Sequence, residues 1–140
     1  MKKSFYIFLF FNLIVGKNLN SKLSLGIGDS NTGISIIGFS LSKDLNEKNE
    51  LFIGVGSFLL VNPISIGLKD YIKKNRRGSD YIFYSLQYFN DVKKFAPTIG
   101  LVKEKNLRKN DSVQFKVGIM TFLSPRGFGA APIIGLNINF

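Results

Sequence analysis

The last eleven residues, Ala130 to Phe140, read AAPIIGLNINF. Counted back from the end, Phe140, Ile138, Leu136 and Ile134 fall on one side of an extended chain. Asn139, Asn137, Gly135 and Ile133 fall on the other. Successive side chains of a strand point to opposite faces, so this is a strand with one apolar face and one mostly small or polar face. It ends on a bare aromatic.

The same alternation recurs upstream. In Lys22–Gly28, Leu23, Leu25 and Ile27 oppose Ser24, Gly26 and Gly28, and Asp29 to Gly33 then forms a turn cluster. In 34–42, Ile37, Phe39 and Leu41 oppose Gly38, Ser40 and Ser42; a phase break at Ile36–Ile37 predicts a bulge. In 51–59, Leu51, Ile53 and Val55 oppose Phe52, Gly54 and Gly56. From Ile64, a fourth segment sets Ile66 and Leu68 against Ser65, Gly67 and Lys69 and continues through Tyr71. The fifth sets Ile82, Tyr84, Leu86 and Tyr88 against Phe83, Ser85 and Gln87. The sixth sets Pro97, Ile99 and Leu101 against Thr98, Gly100 and Glu104. In the seventh, Val113, Phe115, Val117 and Ile119 oppose Gln114, Lys116 and Gly118. With the closing strand this makes eight short strands between turn clusters, the pattern of an all-β sandwich or barrel.

Length and composition bound the rest. At 140 residues there is room for one domain. Zero Cys removes disulfides and thiolate chemistry. Zero His removes the commonest general base, the commonest zinc ligand and any Ser-His-Asp constellation. No catalytic site, metal site or cofactor is therefore expected, and no enzyme. The charge of +10 points to an anionic partner. Nucleic-acid binding would need basic residues interleaved with exposed aromatics on one platform, and it is not expected of an exported chain.

At the amino terminus, Lys2 and Lys3 precede the apolar run Phe5–Val15, which fits a signal-peptide core. It is shorter than the ~20 apolar residues a spanning helix needs. The expected organisation is a signal peptide over 1–20, cleaved between Gly16 and Ser21, then one β-barrel domain over 21–140.

Alternation alone does not choose between water and lipid. The face opposite the bulky residues carries Gly26, Gly28, Gly38, Gly54, Gly56, Gly67, Gly100, Gly118 and Gly135. Glycine weakens a strand unless close packing requires it, so these residues suit the inner wall of a narrow barrel. About eight strands enclose a lumen that side chains can fill. The bulky face, including Val113, Phe115, Val117 and Ile119, then faces lipid. Lys69, Gln87, Glu104, Gln114 and Lys116 become candidate lumen residues. The alternative is a soluble secreted barrel that binds an apolar ligand inside.

On these features the chain resembles the small eight-stranded outer-membrane β-barrel proteins of Gram-negative bacteria. Leu136, Ile138 and Phe140 match the terminal pattern of that family, which implies recognition by the barrel-assembly machinery. The resemblance implies a closed antiparallel up-and-down transmembrane β-barrel, monomeric, in the cell outer membrane. Its partners would be outer-membrane lipid and lipopolysaccharide, the latter through the basic connections. Its role would be envelope structure, surface interaction or a narrow leak. Tyr71, Tyr81, Tyr84, Tyr88 and Phe122 are the candidates for interface girdles. The family also implies longer connections at the first, third, fifth and seventh positions. Here the second, fourth and sixth look longer, over Lys43–Glu50, Lys73–Ser79 and Lys105–Asp111. Either the outer loops are unusually short or the strand count is off by one.

Overall fold

The computed structural model describes residues 19–59, 61–107, 112–124 and 127–140. Those residues form eight strands: β1 Leu19–Ile27, β2 Ile37–Asp44, β3 Asn49–Ser57, β4 Pro63–Asn75, β5 Gly78–Phe89, β6 Lys94–Asn106, β7 Val113–Ser124 and β8 Gly127–Asn139. Each strand pairs antiparallel with its sequence neighbour, and β8 pairs with β1, so the sheet closes into a barrel without an edge. Closure gives every strand a partner on both sides and leaves no template for edge-to-edge association.

The apolar run at 5–15 lies outside the described residues. β1 starts at Leu19, inside the 1–20 segment assigned to the signal peptide.

Register lines up the bulky side chains in rows around the outside. One row runs Leu23, Phe39, Val55, Ile64, Tyr88 and Phe95, each the cross-strand partner of the last. Ile64, Phe39, Ile99, Leu101, Ile119 and Ile134 are all exposed. Inside, an apolar layer of Phe52, Phe83, Val102, Met120 and Ile133, with Tyr71 and Tyr81, lies beside a larger set of buried polar groups.

The charged connections are shorter than the composition suggested. β2 runs on to Asp44 and β3 starts at Asn49; β4 reaches Asn75 and β5 starts at Gly78. Asn side chains close both turns: Asn46 Oδ1 accepts from the Lys48 and Asn49 amides at 2.8 Å, and Asn75 Oδ1 from those of Arg77 and Gly78 at 3.0 Å. Charged residues can continue a strand at its rim, where Lys73 pairs with Asp80 and Lys74 with Ser79. The count is therefore eight, and the connection at 28–36 is the long one. The bulge falls between Tyr71 and Lys73, not at Ile36–Ile37; that phase break marks the point where the long connection joins β2.

That connection folds into the barrel. Asp29, Ser30, Asn31, Thr32 and Ser35 are each 0–2% exposed, and the expected turn forms as a reciprocal pair of 2.8 Å bonds between Asp29 and Gly33. The wall makes room for it. A β-carbon on Gly54 would lie 2.2 Å from the Asn31 carbonyl oxygen, and one on Gly38 or Gly56 would meet Thr32 or Ser35 at 2.5 Å. Gly54→Val should therefore destabilise the barrel by about 1–3 kcal/mol, the usual range for overpacking. Val55→Leu, on the exposed face, should be near neutral. Urea unfolding in detergent checks both; equal tolerance would mean that the loop does not occupy the lumen.

Candidate functional site

Alternation sends every second side chain into the barrel, and on five strands one of these is charged. β1 contributes Lys22, β3 Glu50, β4 Lys69, β6 Glu104 and β7 Lys116, while the inward loop adds Asp29; all are buried. Three lysines thus face three carboxylates. Burying an ion without a partner costs several kcal/mol, so the pairing is a condition of this interior.

The charges fall into two clusters. Near the end that carries both termini, Glu50 accepts from Lys69 at 3.0 Å and from the Tyr71 hydroxyl at 2.5 Å, with Lys22 at 3.7 Å. The Lys69 ammonium also lies 4.9 Å from the Tyr81 ring centroid and 5.8 Å from that of Phe52. Tyr81 donates to Glu104 at 2.6 Å, and its oxygen lies 2.8 Å from Ser30 in the loop.

The second cluster holds the loop. Asp29 forms an ion pair with Lys116 and accepts from Ser24, from the Asn31 and Thr32 amides and from the Thr32 hydroxyl. Ser65 donates to the Asn31 carbonyl, Asn31 donates to Ser40 at 3.0 Å, and the Ile34 amide donates to Gln87 at 3.2 Å. Gln87 in turn donates to Thr98 at 2.8 Å. Contacts from β1, β2, β4, β5 and β7 thus meet on one loop, and its peptide groups find inside the barrel the partners that water would otherwise supply.

Of the residues singled out from sequence, Lys69, Gln87, Glu104 and Lys116 lie in this interior. Gln114 is half-buried near the end that carries the termini and donates to Asn106 at 3.0 Å. Phe115, Val117 and Ile119 are exposed on the outer wall and Val113 is half-buried. Leu136 and Phe140 are exposed, Ile138 is half-buried, and the Phe140 amide donates to the Ser21 carbonyl at 3.0 Å.

Three girdle candidates need correction. Tyr71 and Tyr81 point inward and are 7% and 0% exposed, because each shares parity with an inward residue of its own strand, Lys69 and Phe83; Phe122 is half-buried and shares the parity of inward Met120. Sequence reasoning also missed Lys22, Asp29 and Glu50. Asp29 was absorbed into a turn cluster and Glu50 into a charged connection, while Lys22 was taken only as the start of the first strand. The signal for Glu50 was its parity with Phe52 and Gly54.

Beside the first cluster a polar vestibule of about 440 Å³ opens at the end bearing the termini, lined by Lys22, Glu50, Tyr71, Ser79, Glu104 and Gln114 among others. It is large and polar enough to hold water. The loop and the apolar layer fill the barrel beyond it. Comparison with known protein families, curated proteins and solved structures finds no match to this chain.

Lys116→Met, which strands Asp29, should cost about 3–5 kcal/mol, the range for removing one partner of a buried pair. Adding Asp29→Asn should recover part of that loss. Denaturant unfolding of the two single variants and the double measures the recovery; a double variant as unstable as the sum of the two single ones would show that the pair does not couple.

Proposed function

We propose that the chain is an outer-membrane β-barrel with no catalytic task, serving the envelope as a structural or surface-interacting element. One observation carries this: the wall is inverted relative to a water-soluble barrel. Ile99, Leu101, Val117 and Ile119 are 45–54% exposed, while Lys69, Gln87, Lys116 and Asn137 are 0–1% exposed. Isolated exposed apolar residues are ordinary; rows of them around a whole barrel are not, and lipid is the medium that suits such a surface. Hydrocarbon also demands that every backbone group be paired, which a closed sheet achieves.

The occupied lumen favours a structural or surface role over a leak. It also counts against the soluble alternative, since paired charges, the inward loop and the apolar layer already fill the space an apolar ligand would need. Leu136, Ile138 and Phe140 keep the proposed role of assembly signal. Lipid and lipopolysaccharide remain the proposed partners of a monomer.

Fractionation tests the reading. The protein should be recovered by detergent from the membrane fraction, and its electrophoretic band should shift on boiling as the closed sheet unfolds. Recovery in a soluble fraction without detergent would overturn it.

A further inference from the structure

In a closed barrel of consecutive strands, the first, third, fifth and seventh connections share one end. Each of these four hairpins presents a large exposed apolar side chain there: Ile36 at 41%, Leu59 at 82%, Val92 at 59% and Phe128 at 74%. Around them Ile27, Phe95 and Leu123 are exposed as well, and the Tyr88 ring packs at a tilt against Phe95 with centroids 4.8 Å apart. The exposed charges described at this end are Asp91, which accepts from the Asn62 amide at 3.0 Å, and Lys93 and Lys94; Asp29 is buried inside.

The opposite end is built differently. Leu45, Ile72 and Leu107 are exposed there too, but they stand among Lys43, Asp44, Glu47, Lys48, Lys73, Lys74, Arg76, Arg77, Lys103 and Lys105. Water-facing turns of a membrane barrel carry polar and charged residues, whereas aromatics gather where hydrocarbon meets headgroups. On the outer wall, Ile27, Phe95 and Leu123 carry exposed apolar surface toward the hairpin tips. A groove of about 510 Å³ on that wall is lined by Leu68, Tyr84, Leu86 and Ile99 and reaches Leu123 and Phe128 near the tips.

We propose that the four-hairpin end docks on membrane lipid, its tips seated at the boundary between acyl chains and headgroups, while the basic end stands in water. The inference rests on the membrane reading above and adds an orientation to it. Lys93 and Lys94 reach the headgroups by extending along the boundary, as long cationic side chains do. Seated this way, the barrel projects little beyond the bilayer at this end. The apolar tips that would be an aggregation hazard in water then lie in the medium that suits them.

The natural chain has no Trp, so one introduced indole reports its own depth. Leu59→Trp, Val92→Trp, Phe128→Trp, Ile119→Trp in mid-wall and Arg77→Trp at the basic end are each inserted into phosphatidylcholine vesicles. The vesicles carry lipid brominated at a shallow or a deep acyl position. Emission of the three tip variants should be blue-shifted and quenched more by shallow than by deep bromine. Ile119→Trp should be quenched and Arg77→Trp should not. Red-shifted, unquenched tips with a quenched Ile119→Trp would overturn the docking and leave the membrane reading standing. An unquenched Ile119→Trp would overturn both. Blue-shifted, unquenched tips whose shift fades on dilution would assign the surface to a second copy of the chain and likewise overturn the lipid docking.

Discussion

The Asp29 carboxylate, paired with Lys116 and taking hydrogen bonds from Ser24, Asn31 and Thr32, holds a stretch of irregular backbone inside a closed sheet. Much of the architecture follows from keeping that group satisfied. A buried carboxylate must have a cation, so β7 carries Lys116 on its inner face. A buried loop must have partners for its peptide groups, which Ser65 and Gln87 supply. It must also have room, which the glycines of β2 and β3 leave by lacking β-carbons. The same requirement of pairing places Lys22 and Lys69 around Glu50.

Once polar groups own the interior, the period of two leaves little choice outside. Every residue between two inward ones points outward, and in β4 to β8 those positions are filled largely by Ile, Leu, Val and aromatic side chains. The outer wall is therefore a consequence of the inner one. A barrel with this wall cannot gain by burying it in its own centre, because the centre is taken. The proposed lipid contact supplies the burial that folding in water would withhold, and the contrast between the two ends supplies a direction.

Much of this was legible from alternation alone. The closing strand, the seven before it and the inward placement of Lys69, Gln87 and Lys116 all follow from counting parity. Tyr71, Tyr81 and Phe122 were misjudged because their residue type outweighed their parity. The inward loop was a different matter. Asp-Ser-Asn-Thr-Gly signals a turn through its side-chain hydrogen bonding and the φ of +76° at Gly33, but turn chemistry is the same in water as in a polar lumen. Nothing local tells the two apart. The glycines did register a close approach, and the Gly38, Gly54 and Gly56 group pointed at the loop without naming it. Strand ends were blurred because charged rim residues such as Lys73 and Lys74 carry ladder bonds while reading as loop.

Ile119 and Met120 are neighbours on β7, the first 54% exposed on the outer wall and the second fully buried inside. Magnetisation transfer between lipid acyl protons and their methyl groups, measured by NMR in nanodiscs, therefore tests the inverted wall at a single peptide bond. The account predicts a cross-peak from acyl chains to the Ile119 δ1 methyl and none to the Met120 ε methyl. A lipid cross-peak to Met120, or a water cross-peak to Ile119 in place of the lipid one, would contradict it.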